Sequence, residues 1–76
     1  MDIKEFISNF AEQFDDLDAS ILTPETEFKQ LDEWNSLVAL SVIAMIDEEY
    51  DVTVKGNDIT GAKTIEDLYN TVQSKM

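Results

Sequence analysis

The segment Ser36–Tyr50, SLVALSVIAMIDEEY, constrains the fold more than any other part of this chain. It contains neither glycine nor proline, and its apolar residues occupy more than one side of a helix. Val42, Ile43, Met45, Ile46 and Tyr50 can form a core face. Leu37, Leu40 and Ala44 recur at i, i+3 and i+7 on another side. Asn35 precedes the run as an N-cap, its side-chain oxygen free to accept a first-turn N–H. A chain of 76 residues buries a modest share of its surface and cannot readily hide both sides of such a helix. The second stripe is therefore a candidate partner surface, unless the preceding loop covers it.

Around this helix the pattern predicts an all-α domain. Ile3, Phe6, Ile7, Phe10, Ala11 and Phe14 mark one broad apolar stripe and predict a first helix over residues 3–15. Asp2 is placed to cap it, Glu5 stands at N3, and Met1 and Phe6 are spaced as a hydrophobic staple. Residues 15–35 are too long for a simple connection, so they are expected to be pinned over the helices by Leu17, Ile21, Leu22, Phe28 and Leu31. Thr23-Pro24 predicts one short turn within that loop. Residues 51–56 alternate but lack a partner strand, which suggests an extended connector whose valines plug the bundle. One helical turn at residues 57–61 follows. Thr64, with Asp67 three residues on, caps a last helix over about 65–74, striped by Ile65, Leu68, Tyr69 and Val72. The expected architecture is a small four-helix bundle in a single domain, 1–76, with three main helices, one short helix and a long loop between the first two.

Composition removes several function classes. Cysteine, histidine and arginine are all absent. No disulfide, thiolate metal site or thiol nucleophile is possible, and the commonest general base is missing. A stand-alone enzyme is not expected, nor is a metal site. The net charge of −12 opposes binding to nucleic acid and to anionic membranes and suits basic protein partners. Residues 2–10 lack the basic and apolar regions of a secretory leader, and the longest nearly uncharged run, 34–46, is too short to span a bilayer. A cytoplasmic monomer is the expectation. Asp47, Glu48, Glu49 and Asp51 form either a solvated helix face or a loose divalent-cation site without EF-hand spacing.

The chemistry-bearing candidate is Ser36, in FKQLDEWNSL. Serine is common near a helix start for structural reasons alone. The wider context is more specific. Asn35-Ser36-Leu37 resembles the Asp-Ser-Leu core of the phosphopantetheine attachment site of acyl carrier proteins, and Trp34-Asn35-Ser36-Leu37 is similar to the Trp-Asp-Ser-Leu of carriers from polyketide and peptide assembly lines. The resemblance covers nearly the whole chain. It takes in the apolar first helix, the long loop with Phe28, the second helix ending in Asp47-Glu48-Glu49-Tyr50, the valine connector and the Thr-Ile-Glu-Asp-Leu start of the last helix.

The resemblance implies an acyl carrier of the four-helix type, not an enzyme. It implies a phosphopantetheine arm attached covalently to Ser36 that holds acyl intermediates as thioesters. Asn35, Leu37, Leu40 and Ala44 would meet partners: a phosphopantetheinyl transferase, and acyl-transferring or ligase enzymes of fatty-acid, polyketide or related biosynthesis. A phosphodiester on Ser36 would lie at a helix N-terminus, where N–H groups and the dipole favour negative charge. Fatty acyl, polyketide, aminoacyl and D-alanyl cargoes all suit one thioester. The chain departs from the housekeeping fatty-acid pattern at Asn35 (usually Asp), Val38 (often acidic) and Ser41 (often Glu), which favours a specialised pathway. Trp34 is read as packing on the helix rather than as an exposed contact. The competing function is an unmodified acidic interaction module that binds a basic protein through Leu37, Leu40 and Ala44.

Overall fold

A computed structural model describes residues 2–15 and 17–76 of the chain. Four α-helices follow in order: α1 (Ile3–Ala11), α2 (Ser36–Tyr50), α3 (Gly56–Gly61) and α4 (Ile65–Lys75). The α1–α2 loop carries two 3₁₀ turns, at Ala19–Ile21 and Phe28–Gln30. No strand occurs among the described residues, and the expected all-α bundle with its long first loop is what the chain forms. Residues 51–55 run as an extended connector, with Val52 and Val54 buried in the bundle as expected.

Side-chain caps fix where each helix starts, because the first backbone N–H groups of a helix lack partners within it. Asp2 accepts from Lys4 N at 3.0 Å. Asn35 accepts from Val38 N at 2.9 Å. Thr64 accepts from Asp67 N at 3.2 Å, and the Asp67 carboxylate takes the Thr64 N–H at 3.2 Å, completing a capping box. At α3 the Asp58 carboxylate receives the Lys55 N–H at 2.9 Å. Met1, expected to staple against Phe6, lies outside the described residues.

α3 starts one residue earlier and α4 ends one residue later than expected, and the larger difference is at α1. α1 ends at Ala11 rather than at residue 15. Beyond it the bonds tighten to i→i+3 spacing, Gln13 N to Phe10 O and Phe14 N to Ala11 O, each at 3.1 Å. Glu12 and Asp15 put negative charge at the end of the helix where the dipole is also negative, which disfavours further α-turns. The apolar stripe survives this change, since Phe14 remains buried.

Phe6, Phe10, Phe28, Val42, Ile46, Ile65, Leu68 and Val72 are fully enclosed and form the centre of the core. Burying a side chain of this size contributes ~1.5–3 kcal/mol. Trp34 extends the core to the loop. Its ring is nearly parallel to that of Phe10, with centroids 6.3 Å apart, and edge-on to Phe28 at 5.0 Å. Two residues expected on the core face of α2, Ile43 and Tyr50, are only half-buried at its margins.

The long loop is held at both levels, side chain and backbone. Leu22 and Phe28 are buried, and Leu17 and Leu31 pack half-buried against the core. Ile21 departs from expectation and is 59% exposed. It adjoins Leu22, and the chain turns so that only one of the two faces inward. The Thr23-Pro24 turn closes with Thr26 N to Thr23 O at 3.0 Å. Pro24 O and Thr26 O then accept from Glu66 N at 2.9 Å and Ile65 N at 3.1 Å. The loop thus satisfies the orphan N–H groups that open α4.

Candidate functional site

α2 begins at Ser36, as its cap predicts, and the loop that leads into it is pinned from below. Phe28 and Trp34 seat the loop on Phe10, and Asn35 takes extended backbone before the helix starts. Asn35 Oδ1 is committed to Val38 N, and its Nδ2 donates to Glu33 O at 3.4 Å. Ser36 follows on the exposed surface, and among the described residues its hydroxyl has no hydrogen-bond partner. Ser41, one turn on, is different: its hydroxyl donates to Leu37 O at 3.1 Å and is tied to its own helix. The first turn of α2 contains no acidic side chain.

The candidate partner residues stay uncovered. Leu37 is 74% exposed, Leu40 is 63% exposed, and Ala44 is exposed as well. The long loop does not cover them. They do not act as a single strip, however, because two depressions divide them. On the α3 side, Ser36, Ala39, Leu40 and Ile43 border a trough of about 490 Å³, closed by Lys29, Trp34 and the α3 residues Gly56, Ile59 and Thr60. On the α1 side, Leu37, Val38 and Ser41 border a groove of about 370 Å³ with Phe14, Asp15 and Glu33. That groove continues past Ala44 to Glu12, Glu48 and Glu49. Asn35 stands at the divide and lines both.

Two features of the trough were not legible as functional in the sequence. Gly56 forms part of its wall, and a β-carbon there would meet nothing within 4 Å, so the wall is open at that point. Lys29 reaches across from the loop and donates from Nζ to Thr60 O, at the end of α3. Residue spacing cannot relate a loop lysine to a carbonyl 31 positions away. The only hint was a cation close ahead of the serine in a chain that has five. Asp47, Glu48, Glu49 and Asp51 are exposed, and among the described residues no three acidic side chains converge as a metal site. No helix among the described residues is long and apolar enough to cross a membrane.

The family model described as "Phosphopantetheine attachment site" matches residues 5–72. No curated protein and no solved structure matches significantly. The residues present fit a phosphopantetheine. A hydroxyl without a partner among the described residues stands at the N-terminus of a 15-residue helix, where an added phosphate would meet first-turn N–H groups and the positive end of the dipole. The trough beside it is bordered mostly by apolar groups and has room for part of an arm. Lys29, Asn35 and Ser36 border this trough together with the apolar Ala39, Leu40, Ile43 and Ile59. The match spans all but the first four and last four residues, and the chain belongs to the phosphopantetheine-attachment-site family, the domain of the acyl carrier proteins, as a carrier of that covalent group.

Proposed function

We propose that the chain is a single-domain, monomeric acyl carrier whose arm is attached at Ser36, and that it delivers acyl intermediates to enzymes of fatty-acid, polyketide or related biosynthesis. The observation that carries the reading is the state of Ser36: exposed, without a hydroxyl partner among the described residues, and first in a long capped helix. In the modification, Ser36 Oγ attacks the phosphorus on the pantetheine side of the coenzyme A anhydride. The anhydride P–O bond breaks, adenosine bisphosphate leaves with the electron pair, and the serine proton passes to a base on the transferase. The attached arm supplies a thiol that holds the acyl group as a thioester.

The chain itself contributes presentation and recognition. Leu37, Leu40 and Ala44 lie exposed along α2 beyond the attachment point and offer apolar contact to a docking enzyme. The surrounding carboxylates favour a basic partner face and speed its approach. The trough beside Ser36 suits an apolar acyl chain.

Incubation with coenzyme A and a broad-specificity phosphopantetheinyl transferase should add one phosphopantetheinyl mass. Ser36→Ala should abolish the addition completely. Modification that persists in this variant, on Ser41 or Ser20 for instance, would move the site. No addition to the wild-type chain would favour the unmodified acidic module instead, binding a basic protein through the same exposed residues.

A further inference from the structure

We propose that Lys29 is the counter-ion of the phosphodiester on Ser36, and that it releases Thr60 at the end of α3 when the arm is attached. The proposal rests on attachment at Ser36. Of the five lysines, only Lys29 borders the trough that Ser36 also borders. Among the described residues no carboxylate borders that trough. The opposite flank of the same helix start has Asp15 and Glu33 and no lysine. A phosphodiester at the end of α2 therefore experiences attraction on the α3 side and repulsion on the α1 side. Lys29 sets this direction in a chain whose net charge of −12 otherwise opposes any added anion.

The present partner of Lys29 makes the exchange favourable. An ammonium has three donors, and one of them is used on Thr60 O. Lys29 forms no ion pair among the described residues; the one found there joins Lys75 to Asp58 at 3.8 Å. Thr60 O is one of the last carbonyls of α3, a helix of six residues, and Lys29 serves as its C-terminal donor. A bond from an ammonium to a charged phosphate oxygen is stronger than one to a neutral carbonyl. Attachment of the arm thus draws Lys29 away from α3, and the six-residue helix loses the tie between its last turn and the loop. α3 forms one wall of the trough, so the same event loosens the trough where cargo would enter.

The test compares wild-type protein with K29M, K29R and the distant-lysine control K63M, each in apo and modified forms. Intact mass comes first. If no phosphopantetheinyl mass is gained, or if Ser36→Ala still gains it, the attachment reading fails and this proposal fails with it. With attachment in place, the ³¹P resonance of the phosphodiester at low salt should be displaced in K29M and stay near the wild-type position in K29R and K63M. Raising the salt should move the wild-type resonance toward that of K29M. Amide exchange at Ile59, Thr60 and Gly61 should speed up on modification in wild type, and should already be fast in apo K29M. Coincident ³¹P resonances in modified wild type and K29M, or an equal displacement in K63M, would overturn the role of Lys29 while leaving attachment at Ser36 intact. If K29M does not fold, the salt titration of wild type and the K29R spectrum decide the same question.

Discussion

On the α1 side of α2, the groove passes Asp15 and Glu33 and then Glu12, Glu48 and Glu49, with no lysine along it. On the α3 side, the trough is bordered by Ala39, Leu40, Ile43 and Ile59, with one lysine and, among the described residues, no carboxylate. One helix separates these environments, and both open at Asn35, next to the serine. The difference teaches how a strongly acidic chain can accept a further anion. Carboxylates line the groove on the α1 side, and among the described residues none lines the trough on the α3 side. Between the two, Val42, Met45 and Ile46 hold the helix to the core.

That division predicts different consequences for substitutions a few residues apart. Ile46→Ala, in the fully enclosed face, should cost ~2–5 kcal/mol in denaturant unfolding. Leu37→Ala, at an exposed position, should cost under about 0.5 kcal/mol and should instead slow modification by the transferase. The opposite ranking would mean that the buried and docking faces of α2 have been exchanged.

Screening acts chiefly on the acidic flank. Added sodium chloride should raise the thermal midpoint, and a gain of about 1 kcal/mol corresponds to ~4–8 °C in a domain of this size. Magnesium or calcium at matched ionic strength should give no larger rise, because no three acidic side chains converge among the described residues. A larger rise with the divalent ions would show that the α1-side carboxylates bind a cation jointly.

Asn35 borders both flanks, so it reports whether the transferase contacts the corner where they meet. Asn35→Asp should speed modification roughly two- to fivefold at low salt, the rate equivalent of ~0.5–1 kcal/mol, and much less at high salt. An unchanged rate at both ionic strengths would place the enzyme's basic surface away from this corner.

A side-chain hydrogen bond also ties α1 to α2, away from both flanks. Asn9 Nδ2 donates to the Tyr50 hydroxyl at 2.9 Å. Burial raises the Tyr50 pKa above its ordinary value of 10.0, against the opposing pull of the Asn9 bond. The neutral phenol is therefore the form the fold prefers. Its contribution is fully present below the ordinary tyrosine value and is lost as pH rises through the raised one. Tyr50→Phe should lower stability by ~0.5–1.5 kcal/mol near neutrality and should lack this added alkaline loss, as unfolding midpoints on either side of the tyrosine range would show.

Local chemistry made much of the fold legible in the sequence. Asn35 and Thr64 are strong caps followed by unbroken helix formers, so the starts of α2 and α4 could be placed to the residue. The apolar period marked Phe6, Phe10, Val42, Ile46, Leu68 and Val72 as core, and two stripes on one helix marked Leu37, Leu40 and Ala44 as residues that a small domain would leave outside. Ser36 was legible because a helix start confines it to the surface end of α2 and because its neighbours carry the family's pattern. Other features depend on groups far apart in the chain. Ile21 and Leu22 are equally apolar, and only the seating of the loop on the core decides which is buried. α1 stops short of its own stripe because end charges and i→i+3 bonds outweigh periodicity there. The loop carbonyls on α4, the reach of Lys29 to Thr60, and the opposite character of the two flanks exist only once the helices are packed. Caps and periodicity act over one or two turns, so the sequence determined the helices and the exposed serine that opens α2; the sidedness of that helix start is a long-range property, set by which elements come to lie beside it.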